Sequence, residues 1–308
     1  MDEIITRKAY AKINLGLDVV RRLSNGYHEV RMIMQTVGIY DVLTFAKSDA
    51  GIVLQVDHEE LPVDQNNLIY KAAKLLMDTA GISDTKGVHI TLEKHIPIAA
   101  GMAGGSTDAA AALLGINELY ELGYSPDDLK ALGVKIGADV PYCIQGGTAL
   151  AEGIGEVLSE LPAPPQCHLV VAKPDINVST KFVYENLRAN ELPYHPDIDG
   201  MIEALRAGDL KGITDRLGNV LETVTMPAYP VIQDIKDAMT AAGAAGALMS
   251  GSGPTVFGIF TEKALAEAAA GSVKAAGLAK QVFVTEFCID SGIEQGIHGD
   301  IHRRRAHE

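Results

Sequence analysis

Residues 97–110 read Pro-Ile-Ala-Ala-Gly-Met-Ala-Gly-Gly-Ser-Thr-Asp-Ala-Ala, a glycine-rich loop that runs into an alanine-rich segment. Its three glycines have no Cβ, so the backbone there can adopt positive φ angles and approach an anion closely. The alanines that follow favour a helix, and Ser106 or Thr107 is expected to cap its N-terminus. The free N–H groups of the first helical turn and the helix dipole would then stabilise a phosphate.

The spacing of Gly101, Gly104 and Gly105 fits neither of the common nucleotide-binding fingerprints. A P-loop closes with Lys followed by Ser or Thr, and the Rossmann motif reads Gly-x-Gly-x-x-Gly, and this stretch has neither. The alternative is a glycine turn ahead of a helix with no ligand. Because small residues are so dense around Gly104, the sequence favours a phosphate loop of a third kind.

Length and composition predict a globular protein with two domains. A chain of 308 residues exceeds the size that one hydrophobic core usually supports, and a cleft between two domains suits an enzyme with two substrates. The balance of 47% hydrophobic and 21% charged residues is ordinary, while a net charge of -14 argues against binding to nucleic acid or to an anionic membrane.

The chain shows none of the sequence signals of export or membrane insertion. Residues 1–8 have no apolar core after their charges, which argues against a signal peptide. The small and apolar stretch at 238–260 is interrupted by glycines, serines and a proline, so it is a poor membrane span. Three cysteines, far apart and outside any Cys-x-x-Cys pair, indicate reduced thiols. We therefore expect a soluble, cytoplasmic enzyme.

Hydrophobic periodicity predicts an α+β fold. In the first half it predicts strands at 52–56 and 88–92 and a helix at 67–79. In the second half the predicted helices lie near 181–188, 200–207, 229–242 and 264–276, and the predicted strands near 255–260 and 281–287. The proline-rich stretch after Leu161 breaks any regular element. We therefore predict an N-terminal domain at 1–161, a C-terminal domain at 162–290 and a flexible tail at 291–308.

Three further segments carry polar groups suited to chemistry. Residues 9–17 are predicted to form a strand with Lys12 and Asn14 on one face. Residues 137–142 place Asp139 directly before a Val-Pro pair, and residues 249–256 form a second glycine loop followed by a β-branched strand. Taken alone, each is ambiguous: the lysine could be a surface residue, the aspartate a turn residue and the glycine loop a tight turn.

Together and in this order, the segments resemble the small-molecule kinases named for galactose, homoserine, mevalonate and phosphomevalonate, the GHMP kinases. The similarity covers nearly the whole chain. Residues 11–15 (Ala-Lys-Ile-Asn-Leu), 25–28 (Asn-Gly-Tyr-His) and 137–141 (Gly-Ala-Asp-Val-Pro) are most similar to the branch that acts on a cytidine-diphosphate-linked methylerythritol. The resemblance implies a two-domain fold with the active site in the cleft. It also implies ATP-dependent phosphorylation of the 2-hydroxyl of that substrate, on the non-mevalonate route to isoprenoid precursors.

The resemblance also assigns the catalytic residues. Asp139 matches the family's catalytic aspartate, which would accept the proton of the substrate hydroxyl as that oxygen attacks the γ-phosphorus of ATP. Lys12 matches the lysine beside it, whose ammonium would keep the aspartate in its carboxylate form and neutralise charge on the transferring group.

For ATP, the resemblance implies a loop that wraps the phosphates with backbone amides. The positions implied for the nucleotide are Lys94, Pro97, Gly101, Met102, Ala103, Gly104, Gly105, Ser106 and Thr107. The family pairs ATP with Mg²⁺. No protein residue is assigned as a metal ligand, although Asp108 could contribute, so phosphates and water would hold most of the ion. The loop departs from the family in two places: Met102 stands where leucine is general, and Thr107-Asp108 where Ser-Ser or Ser-Asn is frequent.

For the acceptor, the resemblance implies an aromatic pocket for cytosine. The implied positions are Asn14, Tyr27, His28, Thr180 and Tyr184. His28 would hydrogen-bond and stack on the base, and Tyr184 would cover the opposite face, because an aromatic sandwich holds a base by its π-face. Asn14 would orient the reacting hydroxyl.

Two alternatives remain at this point. A sister kinase acting on homoserine or phosphomevalonate would share both glycine loops and would have no use for a cytosine pocket. A ligand-sensing homologue without transfer activity would have no need of both Lys12 and Asp139. In each case the expected partner is a small molecule, with no nucleic acid or membrane, and the expected assembly is a monomer or a weak homodimer.

Overall fold

The computed structural model describes residues 4–49 and 51–288, and the predicted tail at 291–308 lies outside them. In this part of the chain no helix has the length and apolar character that crossing a membrane requires. The strands described are β1 (Ile4–Arg22), β2 (His28–Ser48), β3 (Gly51–Val56), β4 (Gly87–Glu93), β5 (Thr148–Glu152), β6 (Val157–Leu161), β7 (His168–Lys173), β8 (Gly218–Asn219), β9 (Gly246–Met249), β10 (Val256–Phe260) and β11 (Gln281–Glu286).

The helices pack with two mainly antiparallel sheets, which confirms the α+β class. They are α1 (Leu68–Thr79), α2 (Gly104–Leu119), α3 (Pro126–Gly133), α4 (Val140–Gln145), α5 (Thr180–Asn186), α6 (Ile198–Ala207), α7 (Leu210–Thr214), α8 (Glu222–Ala228), α9 (Val231–Ala241) and α10 (Lys263–Ala275). α1 begins at Leu68, directly after its N-cap residue Asn67, whose side chain accepts a hydrogen bond from the N–H of Ile69.

The larger sheet is built on a long antiparallel hairpin of β1 and β2. Asn25 and Gly26 form its turn, with Gly26 at φ 89° and the Asn25 side chain accepting from the N–H of Tyr27. The strand order is β3-β4-β2-β1-β8, and β5 joins β2 and carries β6. Register shifts occur on β1 between Tyr10 and Lys12 and again just beyond Asn14. Bulges of this kind redirect side chains near functional sites.

Helix α2 packs on this sheet at close range. A Cβ added to Gly115 would lie 2.5 Å from the ring of Phe45 on β2, so only glycine allows the observed approach. Ile116 and Leu119 are buried on the same side, together with the apolar residues of α1. This contact fixes the direction of α2 and therefore the position of its N-terminus.

The smaller sheet has the order β11-β7-β10-β9, and its neighbouring strands pair antiparallel. Its apolar face shares one buried cluster with the hairpin, in which Leu17 and Met34 join Val170 and Phe260. Strand β8 pairs parallel with β1 through Gly16 opposite Gly218 and Leu17 opposite Asn219. The second half of the chain thus adds a strand to the first sheet, and the domain limit near residue 162 stays a prediction.

The elements predicted from periodicity are confirmed to within two residues at each end. They are β3, β4 and α1 in the first half and α5, α6, α9, α10, β10 and β11 in the second. The patterns gave no indication of β2, β8 or α4, and the last of these occupies the stretch interpreted as a Val-Pro turn.

Candidate active site

The glycine-rich loop lies between β4 and α2, at residues 94–103. Its backbone is left-handed at Ala99 (φ 50°), Gly101 (φ 72°) and Ala103 (φ 58°). Helix α2 begins at Gly104, so the positive φ angle expected of all three glycines is found at Gly101 alone. The N–H groups of the first turn of α2 therefore open onto the loop, which is the arrangement that binds an anion.

The prediction that Ser106 or Thr107 caps α2 is wrong. Ala103 holds the N-cap position, and no side chain of residues 4–49 or 51–288 caps the helix. Thr107 is buried in the first turn, where its hydroxyl donates to the carbonyl oxygen of Tyr10 at 2.8 Å and ties α2 to β1. Because no side chain occupies the cap, the first N–H groups of the helix remain available to a ligand.

Two apolar residues of the loop are buried beneath it. Pro97 lies directly after the buried Ile96, and Met102 belongs to the cluster that also contains Ile13 and Leu15 of β1. The carbonyl oxygen of Met102 accepts a hydrogen bond from the N–H of Lys12 at 3.1 Å. These two residues support the shape of the loop from below.

Lys12 and Asp139, 127 positions apart in sequence, meet beside this loop. The Lys12 ammonium lies 3.8 Å from Oδ2 of Asp139 and donates to Oδ1 of Asn14 at 2.8 Å. The Lys12 side chain is 6% exposed and that of Asp139 is 31% exposed, so the lysine is fixed from inside and the carboxylate faces open space. An ammonium and an accessible carboxylate therefore stand together at the same place.

Asp139 is held near the start of α2 by the turn that precedes α4. It is the N-cap residue of that helix, with φ −81° and ψ −15°, and its side chain makes no capping bond within the described chain. A Cβ on Gly137 would lie 3.9 Å from the hydroxyl oxygen of Ser106, which places the turn against the first turn of α2. Ser106 is partly exposed there.

His28 and Tyr184 also come together, from opposite halves of the chain. Their ring centroids are 5.1 Å apart with an angle of 38° between the planes. Aromatic rings in direct contact have centroid separations of about 4.5–7 Å, so this pair has no gap for a third ring between its members. The aromatic sandwich expected around cytosine is therefore absent from this arrangement of the two rings. Tyr27 is 58% exposed and points away from the core.

Tyr184 and Asn14, both predicted to bind the acceptor, lie on the side of the Lys12–Asp139 pair. Burial, and after it the charge of Asp139, raises the pKa of Tyr184, which places that phenol within the field of the carboxylate. Asn14 is fully buried between Lys12 and the sulfur of Met32, to which its amide donates at 3.3 Å. Burial and then the charge of Arg22 lower the pKa of His28.

The second glycine loop, residues 250–255, contacts both the first glycine-rich loop and the start of α5. The Ser250 hydroxyl donates to the carbonyl oxygen of Gly101 at 3.0 Å. The hydroxyl groups of Ser252 and Thr180, the latter at the start of α5, lie 2.9 Å apart. Asn219 of β8 holds this loop from behind, since its amide donates to the carbonyl oxygens of Met249 and Gly251, each at 2.8 Å. Asn219 carried no signal in the sequence, because a two-residue strand has no periodicity.

Lys94 lies inside the protein. Its ammonium contacts Oδ2 of Asp41 and Oδ2 of Asp108, each at 2.6 Å, and its side chain is 4% exposed. Asp41 was not identified from the sequence. The available signal was one carboxylate within the mostly apolar stretch 37–46 of β2.

The described residues offer few ligands for a metal ion. They contain no group of three or more His, Cys, Asp or Glu side chains arranged to hold one. One oxygen of Asp108 is bound to Lys94, and Asp139 is the accessible carboxylate beside the loop. This set fits Mg²⁺ held mainly by phosphate oxygens and water, since Mg²⁺ usually keeps several waters and one or two carboxylates.

Comparison with known proteins agrees with this geometry. Residues 67–147 match the model of the GHMP kinases N terminal domain, and residues 201–278 match that of the GHMP kinases C terminal. A crystal structure of homoserine kinase from Cytophaga hutchinsonii has the same fold, with a TM-score of 0.74 and 23% identity over 94% of this chain and 96% of that one. The fold and the site thus define an ATP-dependent small-molecule kinase of the GHMP class.

More similar relatives narrow this class. The 4-diphosphocytidyl-2-C-methyl-D-erythritol kinase of Lachnoclostridium phytofermentans is 52% identical over 92% of this chain and 98% of that protein, and that of Enterococcus faecalis is 48% identical over 92% and 98%. A crystal structure of 4-(cytidine 5'-diphospho)-2C-methyl-D-erythritol kinase superposes with a TM-score of 0.78 and 33% identity, over 92% of this chain and 99% of that one. The chain belongs to the 4-diphosphocytidyl-2-C-methyl-D-erythritol kinase family.

Proposed function

We propose that this chain transfers the γ-phosphoryl group of ATP to the 2-hydroxyl of 4-diphosphocytidyl-2-C-methyl-D-erythritol, in the non-mevalonate route to isoprenoid precursors. The observation that carries the proposal is the meeting of Lys12 and Asp139 beside the N-terminus of α2. Relatives at 47–53% identity bear the name of this kinase, which supports this acceptor over the alternatives.

In the proposed reaction Asp139 takes the proton of the 2-hydroxyl as its oxygen forms a bond to the γ-phosphorus. The bond between that phosphorus and the bridging oxygen of the β-phosphate breaks, and ADP leaves with the electron pair. Lys12, fixed by Asn14, stabilises the charge on the transferring group. The two groups are suited to these roles because the base is accessible and the ammonium is held in place from inside.

The nucleotide would lie along the loop, with its phosphates on the N–H groups of the first turn of α2. Gly105 is exposed at that point, and Ser106 is partly exposed and offers a hydroxyl donor. Mg²⁺, when bound, would neutralise charge on the β- and γ-phosphates. Asp139 is assigned as the base and Asp108 contacts Lys94, so no protein ligand is assigned to the ion, and phosphate oxygens and water would hold it.

The cytidine end would be recognised near His28 and Tyr184. Since these rings contact one another, the base would stack on one outer face of the pair, or Tyr184 would swing aside to admit it. Thr180 and Asn14 would complete the acceptor side, and Tyr27, at the tip of the hairpin, would close over the base.

A panel assay tests the proposal. The purified chain is given ATP and Mg²⁺ with one of four acceptors: the cytidine-diphosphate methylerythritol, homoserine, mevalonate or phosphomevalonate. We expect ADP release with the first alone and a product that carries one added phosphoryl group by mass spectrometry. The Asp139→Asn variant, purified in the same way, controls for contaminating kinases. Turnover of homoserine or phosphomevalonate alone would establish a sister kinase instead.

Competition by CMP separates the acceptor pocket from the chemistry. We expect millimolar CMP to inhibit competitively against the acceptor and to raise the unfolding temperature, because a ligand that binds the folded state stabilises it. An absence of both effects would remove the support for a cytidine pocket. ATP binding without turnover of any of the four acceptors would indicate the ligand-sensing alternative.

The assembly that we propose is a monomer or a weak homodimer, because a site whose catalytic pair is complete within one polypeptide does not require a second copy. The residues that form the site, from Lys12 to Ser252, all belong to the same polypeptide. Light scattering during gel filtration tests this expectation. A stable dimer at micromolar protein concentration would contradict it.

A further inference from the structure

Three charged side chains form a buried cluster under the phosphate loop, the triad of Asp41, Lys94 and Asp108. Their side chains are 0%, 4% and 4% exposed, and the ammonium touches both carboxylates. The other oxygen of Asp41 accepts from the N–H groups of His95 and Ile96, at 2.6 and 2.7 Å. The triad therefore joins three segments: strand β2, the beginning of the loop and the first turns of α2.

The place of the triad points to the nucleotide site. A Cβ on Gly104 would lie 3.1 Å from the Lys94 nitrogen, so the ammonium packs against the first residue of α2. Asp108 lies on the same helix, four residues further along. Burying ions is costly, and a buried ion pair is weak evidence for a gain in stability. A role in fixing the N-terminus of α2 would explain why three charged side chains are buried at this position.

If both carboxyl groups of the triad are ionised, the triad carries a net charge of one negative unit. Oδ1 of Asp108 is buried without a hydrogen-bond partner among the described residues. Burial raises the pKa of Asp108 well above its usual range, against the attraction of Lys94. Burial alone would lower the pKa of Lys94, but the two carboxylates outweigh that effect and raise it. The ammonium therefore stays charged and is committed to its two partners.

We propose that Lys94 is a positioning residue for ATP: held by Asp41 and Asp108, it fixes the N-terminus of α2 against β2 so that its N–H groups are preset for the phosphates. This inference rests on the proposed kinase function. It differs from the expectation that the Lys94 ammonium itself binds the nucleotide, because two of its three N–H donors are already used and the side chain is shielded.

The test compares Lys94→Met with the double variant Lys94→Met/Asp108→Asn. ATP affinity is measured by titration without acceptor, and KM is measured for both substrates. Lys94→Met removes the cation that both buried carboxyl groups contact, so we expect ATP to bind about tenfold more weakly while the acceptor KM stays within about twofold. The double variant also replaces the carboxyl group of Asp108 by a neutral amide that can donate to Asp41, and we expect at least about threefold of the loss in ATP affinity to be recovered.

The two roles of Lys94 predict different outcomes. If the ammonium binds ATP directly, neutralising Asp108 cannot replace it, and a double variant as weak as Lys94→Met would overturn the proposal. Lys74→Met removes an exposed lysine paired with Asp78 and is the matched control, expected to bind ATP like the wild type. The titration needs no acceptor, so a wild-type chain inactive on the cytidine substrate would count against the proposed function and leave this comparison intact.

Asp41→Asn is the second test of the positioning role, to be used if Lys94→Met does not fold. The amide oxygen can still accept from His95 and Ile96, while the charge that holds Lys94 is removed. We expect ATP to bind about threefold or more weakly, with the acceptor KM unchanged and the circular dichroism spectrum retained. ATP affinity equal to that of the wild type would overturn the positioning role.

Discussion

Gly101 and Gly251 lie main chain against main chain where the two glycine loops meet. A Cβ on Gly251 would stand 2.9 Å from the carbonyl oxygen of Gly101, and a Cβ on Gly101 would overlap the carbonyl oxygen of Ser250. Both glycines have positive φ angles, 72° at Gly101 and 56° at Gly251. The phosphate loop is therefore shaped from outside by the second loop, and neither glycine can carry a side chain without movement.

Gly101→Ala is expected to destabilise the protein by about 2 kcal/mol or more and to weaken ATP binding, because the new Cβ adds a clash to a strained φ angle. Thermal unfolding and ATP titration measure the two effects. Gly123→Ala is the control, since Gly123 has a similar φ of 75° with no atom within 4 Å of an added Cβ. It should cost about 1 kcal/mol from the φ angle alone. Equal losses in the two variants would show that contact between the loops is unimportant.

Asp139→Asn is expected to lower kcat by about 10²- to 10⁴-fold, because the amide cannot accept the proton of the hydroxyl. ATP affinity should change little, since the backbone of the loop supplies most of the phosphate contacts. Single-turnover kinetics and ATP titration measure both. Asp127→Asn, at a side chain that is 92% exposed, should leave kcat and unfolding temperature unchanged. An Asp139→Asn protein with the wild-type rate would contradict the assignment of Asp139 as the general base.

His28 gives the chain a defined response to acid. Burial and Arg22 lower its pKa below the ordinary 6.5, so as pH falls the unfolded chain takes up this proton before the folded one. The stability that depends on neutral His28 is therefore complete above pH 6.5 and is lost as pH falls from there toward the folded-state pKa. His28→Gln should remove this part of the acid dependence.

Unfolding temperatures of the wild type and His28→Gln, measured from pH 8 down to 5, test the response. The difference in unfolding temperature between the two proteins should be constant above about pH 6.5. Below that pH the wild type should lose stability relative to His28→Gln. A difference that grows as pH rises above neutrality would have the opposite sign and would contradict the lowered pKa.

The loop, the helix after it and the catalytic pair could be predicted from sequence because their signals are local. Glycine density marks the loop, alanines mark α2, and the segments around Lys12 and Asp139 match the family closely enough to imply their meeting, which the structure shows at 3.8 Å. The details at the helix start could not be predicted. Ala103, which has a Cβ, adopts a left-handed conformation that is uncommon for residues other than glycine.

The other features that the sequence did not predict depend on long-range contacts. Asp41 is 53 positions from Lys94, and Asn219 is 30 positions from Met249, so no spacing rule links either pair. The relation of His28 to Tyr184 shows the same limit. The resemblance implied that both residues line one pocket, but the contact between their rings depends on how α5 packs on the hairpin.

Strand β8 makes the two halves of the chain mutually dependent. Gly218 and Asn219 complete the hydrogen bonding of β1 beside Gly16 and Leu17, and Asn219 then anchors the loop that shapes the phosphate site. A gene divided at residue 162 would therefore yield an amino-terminal fragment with a bare sheet edge and an unsupported nucleotide site. Only reassembly with the carboxy-terminal fragment would restore both, which makes the chain a candidate for complementation of activity from two separately expressed pieces.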